Sequence, residues 1–486
     1  MLLGLDLGTT AVKAVVLDPD RGLLAVDSLP NSSSSPEPGA SEQDAGAWLD
    51  NALALIPRVC AAAGVEPSAI AGVGVAGCVP CVLLLDDGDR PLRSALLYND
   101  ARAHAEIDTL SRSLEGARVL ERTGAGVTQQ SVGPKLRWLQ RHEPDVWART
   151  RRVAGSYDWL GGRLADARFS ERNWALESGL YDLATGDYAP DLCTAAGVGS
   201  DLFGTIRDPS DVIGGVSAAI AARTGLRAGI PVVAGLADHV SSAFGAGLAH
   251  RGDLLVKLGG SVDVLACSDR PLLDARLYLD AHPSPGLWLP NGCMASGGSG
   301  VRWFQRELAA GETLAALDAE AAATPPGADG IVMLPYLLGE KTPLNDPLAR
   351  GALVGLHLGH TRGHLFRAML ESFAYGVRHH LEVLAEHAVR PTRARVTNGG
   401  ASSALWKQIV ADATGLVLEP VVDHPGSALG AAFAGGMGSG AFTDWSDVAR
   451  FVALAEPIAP RAGEAGVYDE RYRAYRALYE AVKPAA

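Results

Sequence analysis

The chain has 486 residues, 48% hydrophobic and 20% charged, which is about three times the ~150-residue prior for one domain and too apolar for a disordered polymer. A single small module is excluded and two sizeable domains are expected. Forty-two Lys and Arg against fifty-five Asp and Glu give a net charge of −13, with no basic run to neutralise a phosphate backbone, so nucleic acid is not an expected partner.

From the N-terminus, Leu2 to Leu7, Ala11 to Asp18 and Leu23 to Leu29 alternate with Gly-containing turns and predict a three-stranded antiparallel meander. The acid at Asp6 interrupts what would be a secretory core, which points to a cytoplasmic protein. After a Ser/Pro-rich loop from Asn31 to Ala40, Ser41 and Asp44 suggest a capping box for a helix whose Trp48, Ala52, Ile56 and Val59 share one face. Strands are expected over Ile70 to Ala76 and Val82 to Leu85. The apolar stretch around them is shorter than a bilayer requires and contains Pro80, so no membrane span is expected. Six cysteines are too sparse for a disulfide scaffold. Cys78 and Cys81 form a C-x-x-C with no second pair, read as two small buried residues ahead of a zinc or redox site.

Further along, a β-branched run from Ile230 ends at Gly235, and Ala237-Asp238-His239 opens a small-residue helix, placing an acid where a buried strand meets a helix. A second meander follows, Leu254 to Leu258 and Val262 to Cys267 about Gly259-Gly260, echoing the N-terminal pattern. The longest helical signal spaces Leu365, Met369, Phe373, Val377 and Leu381 four apart. It leads to a strand over Ala394 to Thr397 and a Gly399-Gly400 turn into another helix. A boundary near residues 247 to 253 divides the chain into 1–247 and 248–486.

Candidate chemistry begins at Asp6-Leu7-Gly8-Thr9-Thr10 and Lys13. Gly8 permits a tight turn whose amides and hydroxyls can face an anion, and Asp6 at a strand end can hold hydrated Mg²⁺. Leu258-Gly259-Gly260-Ser261 repeats the hairpin with a hydroxyl, and Asn398-Gly399-Gly400-Ala401 is a Gly turn opening a helix, suited to a nucleotide. Asp238, between the two cradles in sequence, can orient an alcohol and accept its proton in phosphoryl transfer, or can simply cap its helix. His239 beside it could donate to a substrate, but a lone His at a helix start is more often structural and is not expected to be catalytic.

These residues sit in a chain that resembles the FGGY carbohydrate kinases, and among them is most similar to xylulokinases. The resemblance runs through Gly4 to Thr10, Ser41-Glu42-Gln43-Asp44, Asn99-Asp100-Ala101-Arg102, Pro134-Lys135-Leu136-Arg137-Trp138 and Val232 to Gly235. It continues through Leu334 to Pro343, Gly399-Gly400-Ala401, Trp406-Lys407-Gln408 and Ser427 to Ala432. It implies an α/β fold of two actin-like, ribonuclease-H-like domains about a central cleft, with the sugar and first phosphate loop in the N-terminal half and ATP in the C-terminal half. It implies transfer of the γ-phosphate of ATP, with Mg²⁺, to a hydroxyl of a small ketose or polyol, D-xylulose first. On that carry-over Asp238 is the catalytic base and Asp6 the metal-linked carboxylate. Gly8, Thr9, Thr10 and Lys13 form the first phosphate loop, Gly259, Gly260 and Ser261 the second, and Gly399, Gly400 and Ala401 the adenosine region. Cys78, Val79, Pro80, Asn99, Asp100 and Arg102 join Asp238 at the substrate. Dimers are common among relatives, so a homodimer is compatible with the sequence.

The departures concern the substrate. Cys78-Val79-Pro80-Cys81 stands where xylulokinases usually have Gln-Met-His-Gly, which removes an amide and an imidazole that could bond hydroxyls. Ser170-Glu171-Arg172-Asn173-Trp174-Ala175 carries Glu where Asp is usual and adds Trp174, either core or sugar-facing. Gly260 replaces a common Thr, leaving Ser261 as the hydroxyl of the second loop. The alternatives are a kinase of another polyol (erythritol, ribulose or glycerol), a non-sugar actin-like ATPase, or a weakened sugar-binding regulator.

Overall fold

The N-terminal meander forms as its punctuation dictates. Leu2–Leu7, Ala11–Asp18 and Gly22–Pro30 pair antiparallel in that order, with Asp6 opposite Lys13. In the computed structural model, which describes residues 1–483, the chain divides into two compact units. The first is Met1–Ala249 with Leu279–Trp288 and Pro425–Phe451; the second is His250–Tyr278 and Leu289–His424 with the segment from Val452.

In the first unit the sheet order is Val212–Gly215, Pro231–Val233, Gly72–Gly77, Leu2–Leu7, Ala11–Asp18, Gly22–Pro30, with Leu236–Ala237 also paired to Gly72–Gly77. Leu2–Leu7 and Gly72–Gly77 run parallel and are buried throughout, as parallel strands covered on both faces must be. One face carries the Ser427–Ser439 helix, whose sequence SALGAAFAGGMGS is almost entirely small. The fit is backbone on backbone. A Cβ at Gly74 would lie 1.9 Å from the Ala431 carbonyl oxygen, and one at Gly4 would lie 2.0 Å from that of Ala428. Only glycine allows that approach. The other face receives the Ala45–Ala62 helix, which buries Trp48, Ala52, Ile56 and Val59. Its N-cap is Asp44, accepting from the Gly46 N–H at 2.8 Å, with no capping box from Ser41. The Trp48 indole N–H instead donates to Gln43 at 2.7 Å.

In the second unit Leu254–Leu258 and Val262–Ala266 form the echoing hairpin. Leu254–Leu258 runs parallel to Arg393–Thr397, which in turn runs parallel to Val417–Val422. The long helix is Arg362–Glu386; Met369, Phe373 and Val377 are fully buried while Leu365 and Leu381 flank the core. Its Arg367 and Glu371 make a buried pair at 2.7 Å, which Tyr468 and the Gly327 amide complete. Among the described residues no helix is long and apolar enough to cross a membrane.

Gly74→Val is expected to destabilise the protein by more than ~3 kcal/mol and to lower its soluble yield, while Gly126→Ala, which meets nothing within 4 Å, leaves the melting temperature unchanged. Paired thermal melts measure both.

Candidate functional site

The first-unit site is set by strand register. Asp6 and Leu236 both lie opposite Ala76, and Leu7 and Ala237 both lie opposite Gly77. Gly8, Cys78 and Asp238 are therefore the next residues beyond three adjacent parallel strands, the edge at which open α/β sheets present ligand sites. The Cys78 N–H donates to the Leu7 carbonyl at 3.0 Å, and Asp238 opens the Asp238–Gly245 helix. The Gly8 turn closes by a 3.0 Å bond from its N–H to the Ala11 carbonyl. It is held from outside by two side chains: Asn31, which no motif contained, and Gln43, from the Ser41-to-Asp44 segment of the family resemblance. Asn31 donates to the Gly8 carbonyl at 2.8 Å and Gln43 to that of Thr9 at 2.5 Å. Tyr98, another residue not nominated, shares a hydrogen bond with the Thr9 hydroxyl; burial and then Asp238 raise its phenol above the usual range.

The remaining nominated residues separate into lining and bracing. Cys78 and Cys81 are buried with their sulfurs 3.3 Å apart, and their mutual bond and burial push the Cys78 thiol well up. Neither joins a metal-ligand group among the described residues. Val79 and Pro80 are buried beside them, and the Asn99 carbonyl accepts from Gln129 at 3.2 Å. Asp100 is 1% exposed. Its oxygens accept from the Ser41 N–H at 2.9 Å and from Arg102 at 2.7 Å. Arg102 also bonds Glu42 at 2.5 Å and lies 4.5 Å from the centre of the Trp138 ring. The pair braces the wall. Lys135, within a motif of the family resemblance, is wholly buried, and burial lowers it to about 8; its ammonium donates to the Gln129 carbonyl at 2.8 Å.

The short Arg172–Glu177 helix ties this wall to the site. Glu171 caps it, accepting from the Asn173 N–H at 2.8 Å and the Tyr157 hydroxyl at 2.7 Å. Burial, with Asp158 adding, raises Glu171 to about 8, and burial alone raises Asp158 to about 7. Trp174 is core: it is fully buried and its indole N–H donates to the Cys81 carbonyl at 2.9 Å. The Asn173 amide bonds both backbone groups of Ala281, at 3.0 and 2.7 Å, fixing the segment that carries Asp280.

The second-unit site is a cavity of about 640 Å³. Gly259, Gly260, Asn398, Gly399 and Gly400 line it, with Arg302, Asp318, Ser403 and Trp406 added by the fold. A Cβ at Gly400 would lie 2.4 Å from the Trp406 ring and 2.8 Å from Leu258, so this turn needs glycine. Ser261 and Ala401 lie off the lining: the Ser261 hydroxyl turns to Asp263 at 3.3 Å and Ala401 packs toward the core. The carbonyls of Gly259 and Gly260 accept the first amides of the Gly298–Leu308 helix, at 2.7 and 3.0 Å.

Two groups of side chains bring metal-type ligand atoms within 4.8 Å of one another: Asp329, His357 and His360, and Glu177, His239 and Asp280. In the first, Nδ1 of His357 accepts from the Gly359 N–H and Nδ1 of His360 from the His357 N–H. Each Nε2 therefore carries the proton and faces Asp329 as a donor, the reverse of what a metal-bound imidazole requires. The second group belongs to the Asp238 neighbourhood.

The model of the FGGY carbohydrate kinase N-terminal domain matches residues 1–245 and that of the C-terminal domain residues 254–439. The chain belongs to the FGGY family of carbohydrate kinases. It is therefore a phosphotransferase with an alcohol acceptor and a small-molecule sugar substrate, in an actin-like two-domain fold. Kinases of this family use ATP, generally with Mg²⁺. The structure of xylulose kinase from Rhodospirillum rubrum superposes with a TM-score of 0.95 at 42% identity, covering 99% of both chains. Xylulose kinase of Escherichia coli strain K12 is 29% identical over 489 residues, 100% of this chain and 99% of its own. The L-xylulose/3-keto-L-gulonate kinase of the same strain is 29% identical over 495 residues, 99% and 97% of the two chains. Family membership decides for a sugar kinase over a non-sugar ATPase.

Gly400→Val is expected to weaken ADP binding at least about tenfold by filling the turn beneath the second-unit cavity, read by calorimetry, with the fold intact by circular dichroism. For Glu171 the folded value of about 8 lies above the unfolded one near ~4.3. Its contribution to stability is therefore whole below the unfolded value and is lost as pH rises through about 8. Glu171→Gln should flatten the fall in melting temperature between those pH values.

Proposed function

We propose that this kinase transfers the γ-phosphate of ATP to a hydroxyl of a ketopentose, D-xylulose first, with Asp238 as the base. Residues 1–247 hold the sugar and the first phosphate loop, and residues 248–486 hold ATP. The observation that carries the reading is the register that makes Gly8, Cys78 and Asp238 neighbours beyond three parallel strands. An acceptor at that edge meets a carboxylate, and the turn bearing Thr9 and Thr10 stands beside it.

In this scheme the acceptor hydroxyl donates to Asp238. As its oxygen bonds to phosphorus, the bond to ADP breaks, ADP leaves with the electron pair, and the proton passes to Asp238. Thr9, Thr10 and Lys13 face the transferred phosphate, while Gly259 and Gly260 serve the remaining phosphates and Gly399 and Gly400 approach the adenosine; Ser261 and Ala401, which lie off the cavity lining, take no direct part. Asp6, 5% exposed and followed by two Thr hydroxyls, offers the oxygen ligands that hydrated Mg²⁺ takes. When bound, that ion supplies neutralisation of the phosphate charge.

The acceptor wall of Cys78, Val79 and Pro80 is apolar and thiol-bearing, so it offers few hydroxyl partners. The same observation makes ribulose, erythritol and glycerol the alternative acceptors to compare. Coupled ADP release is expected to be greatest with D-xylulose, and Asp238→Asn to lower kcat by about a thousandfold with ADP affinity unchanged. Turnover in that variant at the native rate sinks the role of Asp238. A native enzyme silent toward every ketopentose but active on another acceptor sinks the choice of substrate. Cys78→Ser should alter the sugar KM and spare kcat.

A further inference from the structure

His239 follows Asp238 in the chain, and the transfer scheme does not use it. Its ring lies among carboxyl groups from three elements. Nε2 is 2.8 Å from Asp280 Oδ2 and 4.0 Å from Glu177 Oε1, while Nδ1 is 3.4 Å from Asp238 Oδ1. The His239 backbone N–H donates to that same Asp238 oxygen at 2.7 Å. An ionised carboxylate only accepts hydrogen bonds, so acceptors face both ring nitrogens and a neutral ring would set its lone pair against one of them.

We propose that His239 is a positioning residue for phosphoryl transfer: braced by Asp280, its ring and backbone amide hold Oδ1 of Asp238. Oδ2 is left for the acceptor hydroxyl, and positive charge stands beside the base as the γ-phosphate approaches. The inference rests on Asp238 acting as the base. Without the ring, the base would meet the polyanion with less positive charge to offset the repulsion. Burial opposes charge on the imidazole, but Asp280 and Asp238 outweigh it and raise His239 well above its ordinary value. Burial, with Asp280 adding, holds Glu177 well above the carboxylate range, so it stands in the group as a neutral acid. The groups facing the ring are thus Asp238 on its own helix, Glu177 at the end of the Arg172–Glu177 helix, and Asp280 on the Tyr278–Ala281 strand. Beside Asp238 stand the Cys78 thiol and the Tyr98 phenol.

The brace is itself built. The Asn173 amide holds both backbone groups of Ala281, next to Asp280, and Glu171 caps the helix that carries Asn173 and Glu177. His239 therefore meets a fixed partner, as a group that orients a catalytic carboxylate must.

The test uses the full-length enzyme with ATP, Mg²⁺ and its best ketose. His239→Gln keeps a hydrogen-bonding side chain without the charge. It is expected to lower kcat roughly ten- to a hundredfold with both KM values within about threefold of native. His239→Lys should recover part of the loss. The cation is present below the raised value and lost as pH rises through it, so the native alkaline decline in kcat should flatten in His239→Gln. Asp280→Asn, which loosens the ring without touching it, should give the same flattening. In an Asp238→Asn background, His239→Gln should cost nothing more. Native kcat and an unchanged pH profile in a folded His239→Gln overturn the inference, as does a further loss in the Asp238→Asn background. Full activity in Asp238→Asn alone overturns the base and this inference together, whereas an inactive Asp238→Asn beside a native-like His239→Gln overturns only the inference.

Discussion

The geometry of the first unit depends on one close approach, that of the Ser427–Ser439 helix to the two central parallel strands. With Gly4 and Gly74 beneath Ala428 and Ala431 at less than a methyl's clearance, the helix lies on the sheet through backbone contact and dispersion with no side-chain layer between. The same helix supports the one that opens at Asp238. A Cβ at Gly430 would lie 2.5 Å from the Ser241 carbonyl oxygen, and the Ser241 hydroxyl donates to the Ser427 carbonyl at 2.7 Å. Sheet, supporting helix and Asp238 helix thus form one tightly stacked assembly, and the height of the Asp238 carboxylate above the strand ends follows from how small those residues are.

A second constraint acts from the side. The short Arg172–Glu177 helix, with its cap at Glu171, sends Trp174 to the Cys81 carbonyl, Asn173 to Ala281 and Glu177 toward His239. Six residues therefore connect the loop at Cys78, the segment at Asp280 and the neighbourhood of Asp238. The cost is a cluster of carboxyl groups away from water. The structure accommodates them by leaving Glu171 and Glu177 protonated and by supplying Tyr157 and backbone amides as partners.

Much of this was legible in the sequence because it is local. Gly8 between strands, the Gly259-Gly260 turn of the second hairpin and the four-residue spacing from Leu365 each state a backbone requirement that short-range pattern expresses. Ser41 illustrates the limit. Its spacing to Asp44 looks like a cap, yet Asp44 takes the cap alone while Gln43 serves Trp48 and the Thr9 carbonyl. Trp174 was ambiguous between core and pocket because its partner, the Cys81 carbonyl, lies 93 residues away. Asn31, Tyr98, Asp280 and Arg302 were not legible at all. Each reaches its site across the fold from a position outside the motifs, Tyr98 from just before Asn99, and a single sequence contains no distance between segments.

Asp280 makes the point most strongly, because it changes what a neighbouring residue is. Read locally, His239 is a lone imidazole at a helix start, and such residues are usually structural. Placed against a carboxylate from a segment 41 residues on, the same ring has acceptors on both nitrogens and is held beside Asp238. The chemistry of Asp238 is then a property of two segments, joined where Asn173 clamps Ala281. A substitution in the Arg172–Glu177 helix therefore reaches the surroundings of Asp238 through that clamp, from a segment that precedes it by more than sixty residues.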